Sequence, residues 1–135
     1  MRDRIKASFA RQSMIQTFGA TLDAIEPGLV TISAPILPGS RQQQGFAHAA
    51  LTFGLGDSAA GYAALTTLPE DQEVVTAEIK INLTAPAIGD RLIAKGRVIK
   101  PGRRLIVVSA EVFALKDGSE TLVAVLQGTM VPVKL

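Results

Sequence analysis

The chain has 135 residues, no cysteine and a single histidine, His48. This length suits one domain with a real hydrophobic core, and 47% apolar against 19% charged residues is ordinary for a globular protein. Without cysteine there can be no disulfide, thiolate nucleophile or thiolate metal site, and one histidine leaves no imidazole pair for a metal. We therefore expect a single domain over 1–135 that uses neither a metal nor a separate cofactor.

Charge and hydropathy exclude two further classes of protein. The net charge of +2 and the aromatic content of 4% are too small for a nucleic-acid surface. The basic N-terminus has no apolar segment of the kind found in signal peptides, and no run of about 18 apolar residues predicts a membrane span. We expect a cytoplasmic protein without nucleic-acid or membrane partners, whose chemistry is carried by carboxylates, hydroxyls, amides and backbone groups.

The first third of the chain predicts a short helix followed by two strands. Apolar residues from Ile5 to Ile15 recur at helical spacing, which predicts an amphipathic helix over about 2–17 that ends near Gly19. Alternating apolar residues then predict a strand at 30–36, and a proline–glycine turn separates it from an earlier strand at about 19–25.

A long helix and four strands follow. From His48 to about Thr67 the sequence is apolar on nearly every side and rich in Ala and Leu, which predicts a buried helix. From Val75 to Leu83 apolar and polar residues alternate strictly, and later turn segments divide the remainder into three more strands. The spacing predicts a continuous antiparallel meander of four strands, and hence an α+β fold in which an antiparallel sheet wraps the central helix.

Asp57 is the unusual residue of the predicted central helix. Its neighbours three and four positions away, among them Gly54 and Gly61, offer no cation. A carboxylate in such surroundings is costly unless it is paired or used, so Asp57 is either a local structural residue or a candidate general base.

The N-terminus of the same helix is a second candidate site. The N–H groups of Ala49 and Ala50 have no intrahelical acceptor and lie at the positive end of the helix dipole, so they could polarise a carbonyl. We interpret His48 as a residue that holds the preceding loop in place. His48 and Asp57 lie roughly 13 Å apart on opposite faces of an ideal helix. A site that uses both ends must therefore be assembled from two chains, as in a two-fold dimer.

Three segments together resemble a known family. They are Gln42-Gln43-Gln44-Gly45-Phe46-Ala47-His48-Ala49-Ala50, the segment 57–63 that begins with Asp57-Ser58, and the segment 76–86 from Thr76 to Pro86. They resemble the hotdog-fold acyl-CoA thioesterases of the phenylacetate-pathway (PaaI-like) type over about residues 20–132. The resemblance implies a hotdog fold, a homodimer that can form a tetramer as a dimer of dimers, and an acyl-CoA substrate.

The resemblance also implies roles for individual residues. Asp57 would be the general base or nucleophile, the N–H of Ala49 would polarise the thioester carbonyl, and Thr76 would position the water. Gln42 would lie near that carbonyl, with Gln43 as the neighbouring candidate for the same amide, and His48 would order the loop. Ala50, like Ala49, replaces a glycine of the family and would contact the substrate. For the phosphates of coenzyme A, the candidates are Arg103 and Arg104, with Lys80 or Arg41.

Two alternatives stay open from the sequence. An enoyl-thioester hydratase on the same fold would pair a histidine with a nearby carboxylate, which the opposite-face argument makes difficult for His48 and Asp57. A non-catalytic acyl-CoA or lipid-binding dimer is the other alternative, because Ala49 and Ala50 add two methyl groups where the family has glycines. The acyl group itself is not identified by the sequence, although Phe53 and Tyr62 could line its pocket.

Overall fold

The computed structural model describes all 135 residues. In chain order the elements are α1 (Arg2–Ala10), α2 (Ser13–Phe18), β1 (Thr21–Glu26), β2 (Leu29–Pro35), a 3-10 turn (Pro38–Ser40), α3 (Ala49–Leu65), β3 (Gln72–Leu83), β4 (Arg91–Pro101), β5 (Ile106–Lys116) and β6 (Ser119–Lys134).

The strands form one antiparallel sheet in the order β1-β2-β4-β5-β6-β3, and α3 packs against one face of it. The helix supplies a large share of the core, since Leu51, Leu55, Ala59 and Ala63 are all at most 1% exposed. This architecture confirms the predicted α+β fold with a sheet around a long central helix. None of the helices combines the length and the hydropathy that crossing a membrane requires.

Glycine allows the sheet to approach α3 very closely. A Cβ on Gly96 of β4 would lie 2.3 Å from the carbonyl carbon of Ala59, so only glycine fits there. Within α3, a Cβ on Gly56 would lie 2.8 Å from a methyl of Leu126. Close packing at Gly54 and Gly56 therefore offsets the low helix propensity of glycine, although Gly61 has only ordinary contacts.

The predicted N-terminal helix over 2–17 is in fact two helices. α1 ends where the N–H of Arg11 bonds to the carbonyl of Ser8, and Gln12 is extended, with φ −82° and ψ 105°. The side chain of Gln12 donates to the hydroxyl of Tyr62 at 2.6 Å. This tertiary hydrogen bond accompanies the break. α2 ends at Gly19, as predicted, and Gly19 adopts the left-handed conformation.

The predicted four-stranded meander is only partly correct. β4, β5 and β6 are successive antiparallel neighbours, but β3 pairs with β6 rather than with β4. The segment 84–90 passes beside the β5–β6 hairpin, where Thr84 N–H bonds to the Val123 carbonyl and Asp90 N–H to the Leu115 carbonyl. This segment is longer than a tight hairpin turn and contains Pro86, so it carries the chain across the sheet end instead of reversing it.

Candidate active site

Asp57 lies in the middle of α3 and faces a small cavity. Its Oδ1 accepts a hydrogen bond of 2.7 Å from the hydroxyl of Thr76 on β3. None of the three ion pairs in the structure includes Asp57, which agrees with the expectation that no cation lies beside it. The cavity has a volume of about 170 Å³ and is lined by Asp57 and Thr76 together with Ser8, Gln12, Ser58, Gly61, Tyr62, Leu65, Glu73, Val74 and Met130.

Thr76 reaches Asp57 because β3 contains a bulge. The strict alternation in the sequence predicts that Val75 and Ala77 share a face with Ile79, but both are exposed, and Thr76 faces the helix instead. The ladder with β6 shifts between Thr76 and Glu78, which leaves Ala77 as an extra residue. Such a bulge re-aims the side chains that precede it. The face predicted for Val75 and Ala77 is therefore wrong, whereas Thr76 does lie beside Asp57, as the resemblance implied.

The N-terminus of α3 offers one free donor rather than two. His48 is the N-cap, and its Nδ1 accepts the N–H of Ala50 at 2.9 Å. The carbonyl of His48 accepts the N–H of Leu51 at 3.0 Å. The N–H of Ala49 has no acceptor within the chain. The expectation that Ala50 also presents its N–H to the substrate is thus corrected, because His48 already occupies that group.

The glutamine loop lies beside this helix end. The side-chain carbonyl of Gln42 accepts the N–H of Phe46 at 3.3 Å, and its amide donates to the side chain of Gln44 at 3.2 Å. Gln42 and Gln44 line a cavity of about 550 Å³ together with Phe46, Ala47, His48, Ala49, Thr52, Leu83, Thr84, Ala85, Pro86, Ala87 and Val123. Gln43 is exposed and does not line this cavity. The loop therefore presents Gln42 and Gln44 to this cavity, but not Gln43.

The two cavities are separate in one chain. They share no lining residue, and Ala49 and Asp57 lie roughly 12 Å apart along the helix axis at about 1.5 Å per residue. We refer to Asp57 and Thr76 as the carboxylate half-site, and to Ala49 and Gln42 as the amide half-site. The spacing matches the sequence argument that one chain does not bring both to the same carbonyl.

The candidate phosphate ligands Arg103 and Arg104 line neither half-site cavity. Arg103 lines a cavity of about 350 Å³ together with Gln72 and Thr67. Thr67 follows the C-terminal end of α3. Arg104 is exposed on the same turn as Arg103. The guanidinium of Arg41 donates to the carbonyls of Gly45 at 2.7 Å and Ile36 at 2.8 Å. Arg41 therefore braces the loop before α3.

The polar wall of the carboxylate half-site was not predicted from the sequence. The hydroxyl of Tyr62 is bonded to Gln12 and lies 3.1 Å from the hydroxyl of Ser8, so the N-terminal helices close one side of the cavity. A signal was available, because a buried tyrosine in an apolar helix requires a hydrogen-bond partner. Its partners are far away in sequence, however, and could not be identified. Tyr62 lines this cavity, whereas Phe53 lines neither half-site.

Comparisons with known proteins agree with the fold. The model of the thioesterase superfamily matches residues 44–121, a range that holds Ala49, Asp57 and Thr76. A protein of Saccharolobus solfataricus named as a candidate esterase is 37% identical over 87 residues, which cover 64% of this chain and 55% of that protein. The match thus spans about half the length of that curated relative.

Solved structures extend the likeness to the whole chain. A thioesterase family protein from Silicibacter pomeroyi is 37% identical with a TM-score of 0.97, over 99% of this chain and 98% of that one. The E. coli PaaI protein from the phenylacetic acid degradation operon has a TM-score of 0.83 at 17% identity, over 95% of this chain and 89% of that one. At that identity the likeness to PaaI concerns the fold alone.

Proposed function

The chain belongs to the thioesterase superfamily and has the hotdog fold, and we propose that it hydrolyses acyl-CoA thioesters to a free acid and coenzyme A. One observation carries this proposal. Asp57 sits in an apolar helix without a cation, holds the hydroxyl of Thr76 at 2.7 Å and faces a cavity. A carboxylate arranged in this way is available for work on a substrate rather than committed to an ion pair.

In the proposed reaction, Asp57 takes a proton from water while the water oxygen attacks the thioester carbonyl. The N–H of Ala49 donates to the carbonyl oxygen as negative charge develops there. The carbon–sulfur bond then breaks, and the leaving thiolate takes up the proton held by Asp57, which regenerates the carboxylate. Alternatively, Asp57 attacks the carbonyl itself and expels the thiolate, and water then hydrolyses the resulting anhydride. Thr76 fixes the carboxylate in both routes.

The active site is composite and lies between two copies of the chain. β3 is at the sheet edge, runs for 12 residues and exposes Val75 (49%) and Leu83 (57%), all features of a strand that pairs with another chain. The same strand contributes to both half-sites, since the hydroxyl of Thr76 donates to Asp57 and Leu83 lines the cavity of Ala49. Antiparallel pairing of two β3 strands about a two-fold axis brings Thr76 close to the partner's Leu83, and so completes two identical sites.

Charge supports a particular register for this pairing. With the axis at Ile79, the carboxylate of Glu78 lies opposite the partner's Lys80, and such opposite-charge pairs stabilise antiparallel strands. Because the chain has no cysteine, Glu78→Cys and Lys80→Cys chains provide a clean test. Oxidation of a mixture should give a cross-linked dimer of the two different chains, whereas either variant alone should cross-link poorly. Cross-linking of each variant with itself would exclude this register.

Thiol release from a panel of acyl-CoAs, including enoyl-CoAs, tests the activity. We expect Asp57→Asn to abolish thiol release without dissociating the dimer. Asp117→Asn is the matched control, because Asp117 is exposed on the β5–β6 turn with φ 51°, a conformation that asparagine accepts. Full activity of Asp57→Asn would refute the proposal. Binding measured by calorimetry without thiol release would favour the non-catalytic dimer, and hydration of an enoyl-CoA would favour the hydratase.

Complementation between chains tests the composite site. Ala49→Pro removes the one N–H that the proposal needs, at the first helical position, where proline is tolerated. His48 is already extended, with φ −63° and ψ 143°, as a residue before proline must be. Ala49→Gly keeps the N–H and serves as control. Mixed Asp57→Asn and Ala49→Pro chains should regain about a quarter of wild-type activity, since half of randomly formed dimers carry one intact site. No recovery in verified mixed dimers would refute the shared site. Sedimentation of the same samples measures whether dimers pair into tetramers.

A further inference from the structure

The bulge in β3 changes which side chains of the strand face the helix. Before the bulge, the even-numbered Val74 and Thr76 lie towards the core and α3. After the bulge, the odd-numbered Ile79 and Ile81 pack on the core, and Glu78 accepts a hydrogen bond of 3.0 Å from Thr129. The extra residue Ala77 therefore decides whether the hydroxyl of Thr76 faces Asp57 or the outer face of the sheet.

Gly128 of β6 lies opposite Ile79, directly beside this bulge. A Cβ on Gly128 would lie 2.3 Å from the carbonyl oxygen of Glu78 and 2.4 Å from Cγ1 of Ile79. The first of these atoms is backbone, so a side chain at this position requires β3 itself to move. Gly128 lines neither half-site cavity. Because Gly128 has no side chain, the bulged strand β3 can approach β6 closely.

We propose that Gly128 is a positioning residue for the hydrolysis: by admitting the bulge at Ala77, it holds the hydroxyl of Thr76 on the carboxylate of Asp57. This inference rests on the proposed function. An alanine at 128 displaces β3 by roughly 1 Å to restore normal contact distances. A displacement of that size stretches the 2.7 Å bond between Thr76 and Asp57 beyond hydrogen-bonding distance.

The test is a double-mutant cycle of Gly128→Ala with Thr76→Val. If Gly128 acts through the Thr76 hydroxyl, each single change lowers kcat about tenfold with KM nearly unchanged, and the double variant is no slower than the slower single variant. If Gly128 only supports the fold, the two losses multiply. Multiplication of the losses, or a Gly128→Ala enzyme with wild-type kcat, overturns the proposal.

Gly102→Ala is the matched control. Its Cβ would lie 2.3 Å from the carbonyl oxygen of Leu105, an equally severe backbone clash in the β4–β5 turn. It should lower stability without lowering kcat.

If Gly128→Ala does not fold, a threonine swap, Thr76→Ala with Ala77→Thr, tests the proposal instead. With the bulge present, a hydroxyl at 77 does not reach Asp57, so the swap should remain as slow as Thr76→Ala alone. Recovery of wild-type kcat in the swap would overturn the proposal.

Asp57→Asn in the same assay separates this inference from the proposed function. If Asp57→Asn stays active, the proposed catalytic role fails, whatever Gly128 does. The cycle can then be measured by thermal unfolding, because the bond between Thr76 and Asp57 contributes to stability as well. Coupling in the unfolding free energies would uphold the positioning role, and additivity would overturn it.

Discussion

Replacement of Thr76 by valine isolates the contribution of one hydroxyl to the candidate site. Valine has nearly the shape of threonine and keeps a β-branched side chain in β3, so the strand is preserved. The change removes a hydrogen bond of 2.7 Å to the carboxylate of Asp57. Hydrogen bonds to charged groups contribute about 1.5–3 kcal/mol net, and exposure of Thr76 favours the lower end of that range.

If this energy aligns Asp57 in the transition state, Thr76→Val lowers kcat about tenfold, since roughly 1.4 kcal/mol corresponds to a factor of ten. Thiol release under saturating acyl-CoA measures the effect, with KM from the same titrations. Thr76→Ser keeps the hydroxyl and should retain most of the activity. A wild-type turnover rate for Thr76→Val would show that the hydroxyl does not align Asp57. An equal loss in Thr76→Ser and Thr76→Val would show the same, because the loss would then not depend on the hydroxyl.

Three further predictions concern the scaffold and the substrate. Gly96→Ala should lower the unfolding free energy by about 1–3 kcal/mol, because its Cβ meets the α3 backbone. In thermal denaturation this corresponds to a fall in Tm of roughly 4–10 °C. An unchanged Tm would contradict the close approach of β4 to α3. His48→Asn should keep the helix cap and most thiol release, whereas His48→Ala should lower the unfolding free energy by about 0.5–2 kcal/mol. A His48→Asn variant that folds normally but loses its activity would make His48 catalytic. Arg103→Ala should raise KM for acyl-CoA but not for acyl-pantetheine, which lacks the nucleotide phosphates; equal changes for both would exclude a phosphate contact.

Much of the fold followed from local patterns. The Ala- and Leu-rich run predicted α3, and His48 lies where that helix begins. Asp57 stood out because one acid among apolar residues must be paired or used, and the structure shows it without a cation. These features depend on neighbours a few residues apart, which is the information that periodicity carries.

Other features depended on partners far away in sequence. The break at Gln12 goes with a hydrogen bond to Tyr62, and turn residues near Pro86 mark a change of direction without naming the neighbouring strand. The bulge at Ala77 leaves no local mark, so strict alternation put Thr76 on the wrong face. Only the resemblance to a family placed Thr76 beside Asp57, because it compares whole segments rather than periods.

The pairing of β3 with β6 has a consequence for how the molecule is made. β3 finds its ladder partners only at Ala124–Lys134, so during synthesis it leaves the ribosome well before the strand that orders it. Such long-range pairing is slow because the intervening loop must close first. The strand that would join two copies is therefore ordered only after β6 is present.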